Sequence, residues 1–435
     1  MEQIKKMKIA MICGFSSLEL RNHLKLKQNR YFFKFLIRLF GLPDRVGNYS
    51  DYAPWIPLLV EQFKKRKDIE LHIISEHIGL NSSVQEFEMD GIFYHIYSAE
   101  FSSFFRKFDN LKLWKLLQRN SVIVKRIVER INPDLINIVG IENPTTGVAA
   151  LYLENRPIYI LSQTIYSNPK RKELGNPKKL NWDLEVSIHK KLKYFAVYSP
   201  VHRQLLLNNN PNAIIFDYHF PVDVLPKVKE CDKIYDFVNF ALQLDSRKGA
   251  QDTVKALAIV KKQFPNVKLN FVGRCDAVQR EELNVLIYEL DLMDNIEFTP
   301  FFEKQIDMFQ HIQKSKNAVL PCKLDFISGT QFQSMYYGLP LVVYKTAGTV
   351  TLNKNKECVL IAELEDVNDL AKKMLILMSD DIRREKLKQN AMEMAIAEKE
   401  EDNSVVEHLV DNYKLIIDHY YNGKVIPDDK LFHDK

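Results

Sequence analysis

The chain has 435 residues, 46% of them apolar and 27% charged, an ordinary globular composition. That length exceeds the roughly 250–300 residues at which a single core stops growing, so two domains are expected. A net charge of +5 suits an anionic small ligand or a membrane surface and does not call for nucleic acid, which is not expected as a partner.

The first element is a short apolar strand, Lys8–Cys13, ending at Gly14. Its apolar run is short and no small-x-small cleavage site follows, so it reads as a buried strand rather than a signal peptide. The next segment, 15–46, carries Arg21, Lys25, Lys27, Arg30, Lys34 and Arg38, with no acid between Glu19 and Asp44. Tyr31, Phe32, Phe33, Phe35, Leu36, Ile37, Leu39 and Phe40 are interleaved with these cations, a pattern suited to an anionic membrane surface through residues 20–42. Phe101–Lys107 and the start of the following helix repeat that character. Strands are expected at Glu70–Ile74, Ile92–Tyr97, Leu135–Val139, Ile158–Leu161 and Tyr194–Tyr198, and helices around Tyr52–Lys65, Leu111–Ile131 and Asp183–Leu192.

The pattern breaks near Phe220-Pro221, and residues 223–232 read as a linker between a first domain, 1–222, and a second, 233–403. The second series runs strand Phe237–Leu242, helix Gln251–Gln263, strand Val267–Val272, helix Ala277–Leu290, strand Ile296–Thr299, helix Lys304–Ser315 and strand Ala318–Pro321. After the segment discussed next come strand Cys358–Ile361 and helix Val367–Met378. Residues 404–435, with a final helix near Ser404–Tyr421, are expected to cross back to the first domain. Alternating strands and helices imply α/β architecture, two Rossmann-like doubly wound domains whose sheets' carboxyl ends face a ligand cleft. No run reaches the roughly 18–20 apolar residues of a membrane span. The five cysteines show no Cys-x-x-Cys spacing and the eleven histidines no His-Glu-x-x-His, so reduced thiols and no metal site are expected.

The most informative stretch runs from Asp325 through Ser328-Gly329-Thr330 and Gln333 to Gly338-Leu339-Pro340. A polar loop opens a short helix, the helix stops at Gly338, and a buried strand follows Pro340. A helix start of this kind presents free N–H groups to a phosphate, and Asp325 and Gln333 could flank one ligand. Leu244-Asp-Ser-Arg247-Lys248-Gly249 similarly places two cations before a helix, where they could neutralise a leaving diphosphate.

Ser334-Met335-Tyr336-Tyr337-Gly338-Leu339-Pro340 resembles the donor segment of the family 4 glycosyltransferases, Glu-x7-Glu followed by Ala-Met-Ala-x-Gly-x-Pro, with Asp325 and Gln333 at the two glutamate positions. The resemblance implies the GT-B fold, retention of configuration, a nucleotide-sugar donor, and neither cofactor nor metal. It implies that Lys248 and Arg247 stabilise the diphosphate and that Asp325 orients the sugar. Gln333 would meet the ribose, with Ser328, Gly329 and Thr330 offering N–H groups. Gly273 would line the base pocket, and Gln243 stands where the family carries an arginine. On the acceptor side, Gly47 matches the glycine-rich loop and Gln163 the position of a histidine. The implied activity is transfer of a sugar to a glycan acceptor, lipid-linked, in surface polysaccharide or lipopolysaccharide synthesis, in the cytoplasm at the inner face of the membrane. Glutamine at three polar positions (Gln163, Gln243, Gln333) motivates a rival reading, a degenerate GT-B protein serving as a nucleotide-sugar- or glycan-binding partner subunit. A nucleotide-sugar epimerase on the same fold is a third.

Overall fold

The computed structural model describes residues 6–15, 18–26, 55–77, 80–98, 110–169, 171, 179–218, 225–302, 304–324, 327–401 and 405–433. The chain divides into two compact units, the first formed by Met1–Val222 with Asp402–Lys435 and the second by Asp223–Glu401.

Unit 1 is built on eight strands among the described residues: β1 Met7–Ile12, β2 Ile69–His77, β3 Val84–Met89, β4 Ile92–Ser98, β5 Leu135–Val139, β6 Ile158–Leu161, β7 Tyr194–Val197 and β8 Ile214–Asp217. They lie in the order β3-β4-β2-β1-β5-β6-β7-β8, all parallel except the antiparallel β3–β4 pair. Central strands such as β5 and β6 are buried at every position, as a sheet covered on both faces requires. Side-chain alternation divides them between two cores. Ile9 and Met11 pack with Leu20, Leu24, Ile56, Leu59 and the C-terminal helix Val405–Asn422. Ala10 and Ile12 pack with Val124, Ile127 and Ile131 of helix Asn110–Ile131 and with Leu184 and Ile188 of helix Lys179–Lys191. The C-terminal helix is also pinned by polar contacts: the Tyr413 hydroxyl donates to Asn137 Oδ1 at 2.9 Å, and Asn412 Nδ2 donates to the Tyr159 hydroxyl at 3.2 Å.

Unit 2 has six strands among its described residues: β9 Tyr235–Gln243, β10 Leu269–Arg274, β11 Ile296–Thr299, β12 Ser315–Val319, β13 Leu341–Tyr344 and β14 Leu360–Ala362, in the parallel order β11-β10-β9-β12-β13-β14. Helices Ala250–Lys261, Ala277–Glu289 and Val367–Ser379 cover one face through Val254, Leu257, Leu283, Ile287, Leu370 and Met374. Helices Gln305–Ile312, Gly329–Tyr336 and Asp381–Glu401 cover the other through Phe309, Ile312, Met335, Ala391 and Ala395.

These sheets and helices give the two Rossmann-like units of the GT-B fold, as the sequence implies. Elements the sequence did not announce are edge or thinly buried ones. β3 alternates half-buried and exposed residues at the sheet edge, β8 has only four residues, and helix Asp381–Glu401 buries a narrow stripe of Leu387, Ala391 and Ala395. Residues 18–26, which open the basic segment, contribute Leu20 and Leu24 to the core, while residues 27–54, including Gly47, lie outside the described residues. All five cysteines are free, and Cys13, Cys322 and Cys358 are buried. Among the described residues no helix is long and apolar enough to cross a membrane, and no cluster of His, Cys, Asp or Glu could hold a metal.

In each unit the chain winds outward from one strand in both directions, which opens a crevice at the carboxyl ends of two adjacent strands. In unit 1 that point lies between β1 and β5, and in unit 2 between β9 and β12. The unit 2 sheet is tight at this end: Gly273 sits at φ +145°, and a Cβ there would lie 2.0 Å from the Ala241 carbonyl oxygen. Gly273→Ala is expected to cost more than about 3 kcal/mol in denaturant unfolding, because backbone strain and a backbone clash coincide. A loss below about 1 kcal/mol would show that β9 and β10 can spread.

Candidate functional site

At the unit 2 crevice, β9 ends at Gln243 and the chain enters a one-turn 3-10 helix, Ser246–Lys248. Asp245 caps that turn, accepting from the Lys248 N–H at 3.1 Å, and also pairs with the Arg247 guanidinium (Nε–Oδ2 3.0 Å). Gly249 follows at φ +71°, and a Cβ there would lie 2.4 Å from the Pro321 carbonyl oxygen. Only glycine lets the turn lie this close to the loop after β12. The loop answers with three contacts: the Lys323 N–H donates to the Arg247 carbonyl at 2.9 Å, the Lys323 ammonium pairs with Asp252 at 2.9 Å, and Lys248 Nζ lies 3.8 Å from Cys322 Sγ.

The same loop leads into helix Gly329–Tyr336, whose N-cap is Ser328. Ser328 and Gln331 form a reciprocal capping box: the Gln331 N–H donates to Ser328 Oγ, and the Ser328 N–H donates to Gln331 Oε1 at 2.8 Å. The Gln331 amide further donates to the Leu320 carbonyl at 3.2 Å, tying the helix start to the end of β12. This corrects one expectation, because the Ser328 N–H is spent within the cap and is not available to a phosphate. The N–H groups of Gly329 and Thr330 have no acceptor among the described residues, and a Cβ on Gly329 would meet nothing within 4 Å. One turn further on, Gln333 Oε1 is enclosed and without a hydrogen-bond partner among the described residues.

Two other expected donor residues have local duties. The Gln243 amide donates to Gln279 Oε1 at 3.1 Å, across to the N-terminal turn of helix Ala277–Glu289, and Gly273 serves the close approach of β9 and β10. Asp325 lies outside the described residues. Gln331 was missed as a site-building residue, although Ser-x-x-Gln before an apolar run is the sequence signature of its cap.

At the unit 1 crevice, Gly140 follows β5 at φ +80°, and a Cβ built on it would lie 3.0 Å from Gln163 Nε2 and 3.3 Å from Glu142 Oε1. The glycine therefore lets both side chains close over the backbone at the carboxyl ends of β5 and β6. Part of Glu142 remains exposed, but its Oε2 is enclosed and unpaired among the described residues. Burial pushes its carboxyl up to about 8, with the neighbouring Glu185 adding to the shift. Glu185 is wholly buried and raised for the same reason, yet it is satisfied: the Tyr166 and Ser167 N–H groups donate to its two oxygens at 2.8 and 2.6 Å. Sequence reasoning found Gln163 and missed Glu142, which carries no motif. Its position one residue beyond Gly140-Ile141 at a strand end is the only sign of it in the chain.

Between the ordinary carboxyl value of 4.5 and about 8, the folded state keeps a proton on Glu142 that the unfolded chain has lost, so stability falls as pH rises through that window. Glu142→Gln, which cannot ionise, should be more stable than wild type at pH 9 by about 2 kcal/mol or more, and the gap should close by pH 5. Thermal unfolding at the two pH values measures it, and parallel curves would mean that the carboxyl titrates normally.

Residues 225–394, which lie within unit 2, match the family Glycosyl transferases group 1. No curated protein matches the sequence. Several solved structures share the fold over nearly their whole length. Sucrose-phosphate synthase from Thermosynechococcus elongatus superposes with a TM-score of 0.63 at 13% identity, covering 96% of this chain and all of that one. Trehalose-6-phosphate from E. coli bound with UDP-2-fluoro glucose gives 0.66 at 9% identity, over 94% and 99% of the two chains. The Anabaena protein HepE, in complex with UDP and glucose, gives 0.60 at 13%, again over 94% and 99%. With a group 1 transferase domain at residues 225–394 and this fold along almost its entire length, the chain is a glycosyltransferase of the GT-B fold.

Proposed function

We propose that the chain moves a sugar from a nucleotide-sugar, held at the unit 2 crevice, to a hydroxyl of a glycan acceptor, with retention of configuration as in family 4. The observation that carries the donor assignment is the convergence of three features on the loop Leu320–Leu324. Lys248 approaches it at Cys322, the open N–H groups of Gly329 and Thr330 begin the helix tied to it through Gln331, and the orphaned Gln333 oxygen lies one turn along that helix. A diphosphate takes the ammonium and the two N–H groups, and the Gln333 amide oxygen accepts from a ribose hydroxyl. Arg247 is half-exposed beside Asp245 and adds positive charge at the rim as the diphosphate departs. Asp325 orients the transferred sugar, and Gly47 and Gln163 serve the acceptor.

A lipid-linked glycan, met at the inner face of the cytoplasmic membrane during surface polysaccharide or lipopolysaccharide synthesis, is the acceptor that the basic, aromatic sequence of residues 27–42 supports. Contact with anionic lipid falls to that stretch, since Leu20 and Leu24 are committed to the core.

Calorimetric titration with UDP, GDP, ADP and CMP tests the donor site, with UDP first because structures of the same fold hold it. One nucleotide should bind the wild type. Lys248→Ala should weaken it about tenfold, and Gln333→Leu by about fivefold, each the scale of one lost polar contact. Failure of every nucleotide to bind the folded protein would overturn the assignment.

A further inference from the structure

The geometry points to Glu142 and Gln163 as the two residues of unit 1 that grip an uncharged sugar hydroxyl pair of the acceptor. This inference deepens the transferase reading and rests on it. A buried carboxyl oxygen without a partner costs stability, and such a group persists where a ligand completes it. The contrast with Glu185 is direct. Of the two neighbouring acids, the buried Glu185 has both oxygens answered by backbone N–H groups, whereas the partly exposed Glu142 keeps one enclosed oxygen, Oε2, without a partner among the described residues. The Gln163 amide and the Glu142 carboxyl lie 3.0 and 3.3 Å from where a Gly140 Cβ would stand, at the carboxyl ends of β5 and β6, next to the switch point between β1 and β5 where an open parallel sheet takes its ligand. Beside β1, none of the described residues comes within 4 Å of a Cβ built on Gly14.

The chemistry of the pair selects the ligand. A carboxyl that burial keeps protonated and a primary amide each offer one donor and one acceptor side, the complement of adjacent hydroxyls. A phosphate offers only acceptors and negative charge, and it would face an enclosed carboxyl oxygen. The cation nearby, Arg171, donates from Nη2 to Thr164 Oγ1 at 2.5 Å, and its Nε is enclosed without a partner among the described residues. The pair itself thus favours an unphosphorylated sugar at the acceptor end, and the charged comparison below tests whether Arg171 draws a phosphate instead.

Saturation-transfer NMR on the full chain at pH 7, with and without UDP, tests this using the methyl glycosides of glucose, galactose and N-acetylglucosamine, and glucose 6-phosphate as the charged comparison. At least one neutral glycoside should give a signal. That signal should fall about fivefold or more in Gln163→Ala and Glu142→Met, and Glu142→Gln, which keeps a donor and an acceptor, should retain it. Both Glu142 variants remove the buried acid and should be at least as stable as wild type at pH 9, so loss of binding cannot be assigned to unfolding. No glycoside signal in the wild type, equal signals in Glu142→Met, or a glucose 6-phosphate signal that depends on Glu142 would overturn the inference. UDP affinity is read in the same samples: its absence would count against the donor site, whereas unchanged UDP affinity with no glycoside dependence on Glu142 would count against this subsite alone.

Discussion

The contact on which unit 2 depends is the approach of the Gly249 backbone to the Pro321 carbonyl. At 2.4 Å from a would-be Cβ, it leaves no room for any side chain, and it sets the spacing of the turn after β9 from the loop after β12. Everything that could meet a diphosphate hangs from those two segments. Lys248 is the residue before the glycine, Lys323 ties the loop to the Arg247 carbonyl, and Gln331 fastens the helix start to Leu320. Asp252, in the first turn of the helix that Gly249 opens, holds both the Lys323 ammonium and the Tyr344 hydroxyl at 2.9 Å. A buried carboxylate with two such partners is satisfied, so it braces the site instead of serving as a ligand group.

The same accounting separates scaffold from candidate ligand groups throughout the chain. Gln331 and Gln333 lie two residues apart on one short helix. The first is fully buried with its amide oxygen and nitrogen both engaged, and the second has an enclosed oxygen with no partner among the described residues. Glu185 and Glu142 repeat the contrast in unit 1. Buried polar atoms are nearly always paired, and neighbouring groups of one kind treated so differently argue that the unpaired member is held for something that binds.

Much of this was legible in the sequence. Continuous apolar runs such as Leu135–Val139 and Ile158–Leu161 mark strands buried on both faces, and the alternation of strands and helices marks doubly wound sheets. The Gly338-Leu339-Pro340 stop and the Lys248-Gly249 turn announce backbone conformations, φ +65° and +71° at the two glycines, which few other residues adopt. What stayed hidden depends on neighbours distant in sequence. β3 has no apolar run to announce it because it is an edge strand, and the apolar run of β8, Ile214-Ile215-Phe216, is short. Helix Asp381–Glu401 shows only a thin stripe because much of its surface faces water. Glu142 resembles any loop acid until the closure of Gln163 over Gly140, 23 positions earlier, makes its environment dry.

The three glutamines that stand at polar positions of the family pattern have three different fates, and this bears on whether they amount to decay. Gln243 is occupied by Gln279, which converts a cationic position into a clasp between the end of β9 and the start of helix Ala277–Glu289. With Arg247 drawn to Asp245, the positive charge at this crevice then rests chiefly on Lys248. Gln163 stands over Gly140 beside a carboxyl that burial keeps protonated at neutral pH. Gln333 retains an acceptor oxygen and leaves it unspent, so the position proposed to meet the ribose keeps half of what a carboxylate would offer, without the charge that would repel a diphosphate. A site shedding its function would fill such gaps with apolar side chains, which cost less to bury. Gln333 instead leaves its own enclosed oxygen unpaired and Gln163 lies beside a protonated carboxyl, which fits a changed ligand preference better than decay.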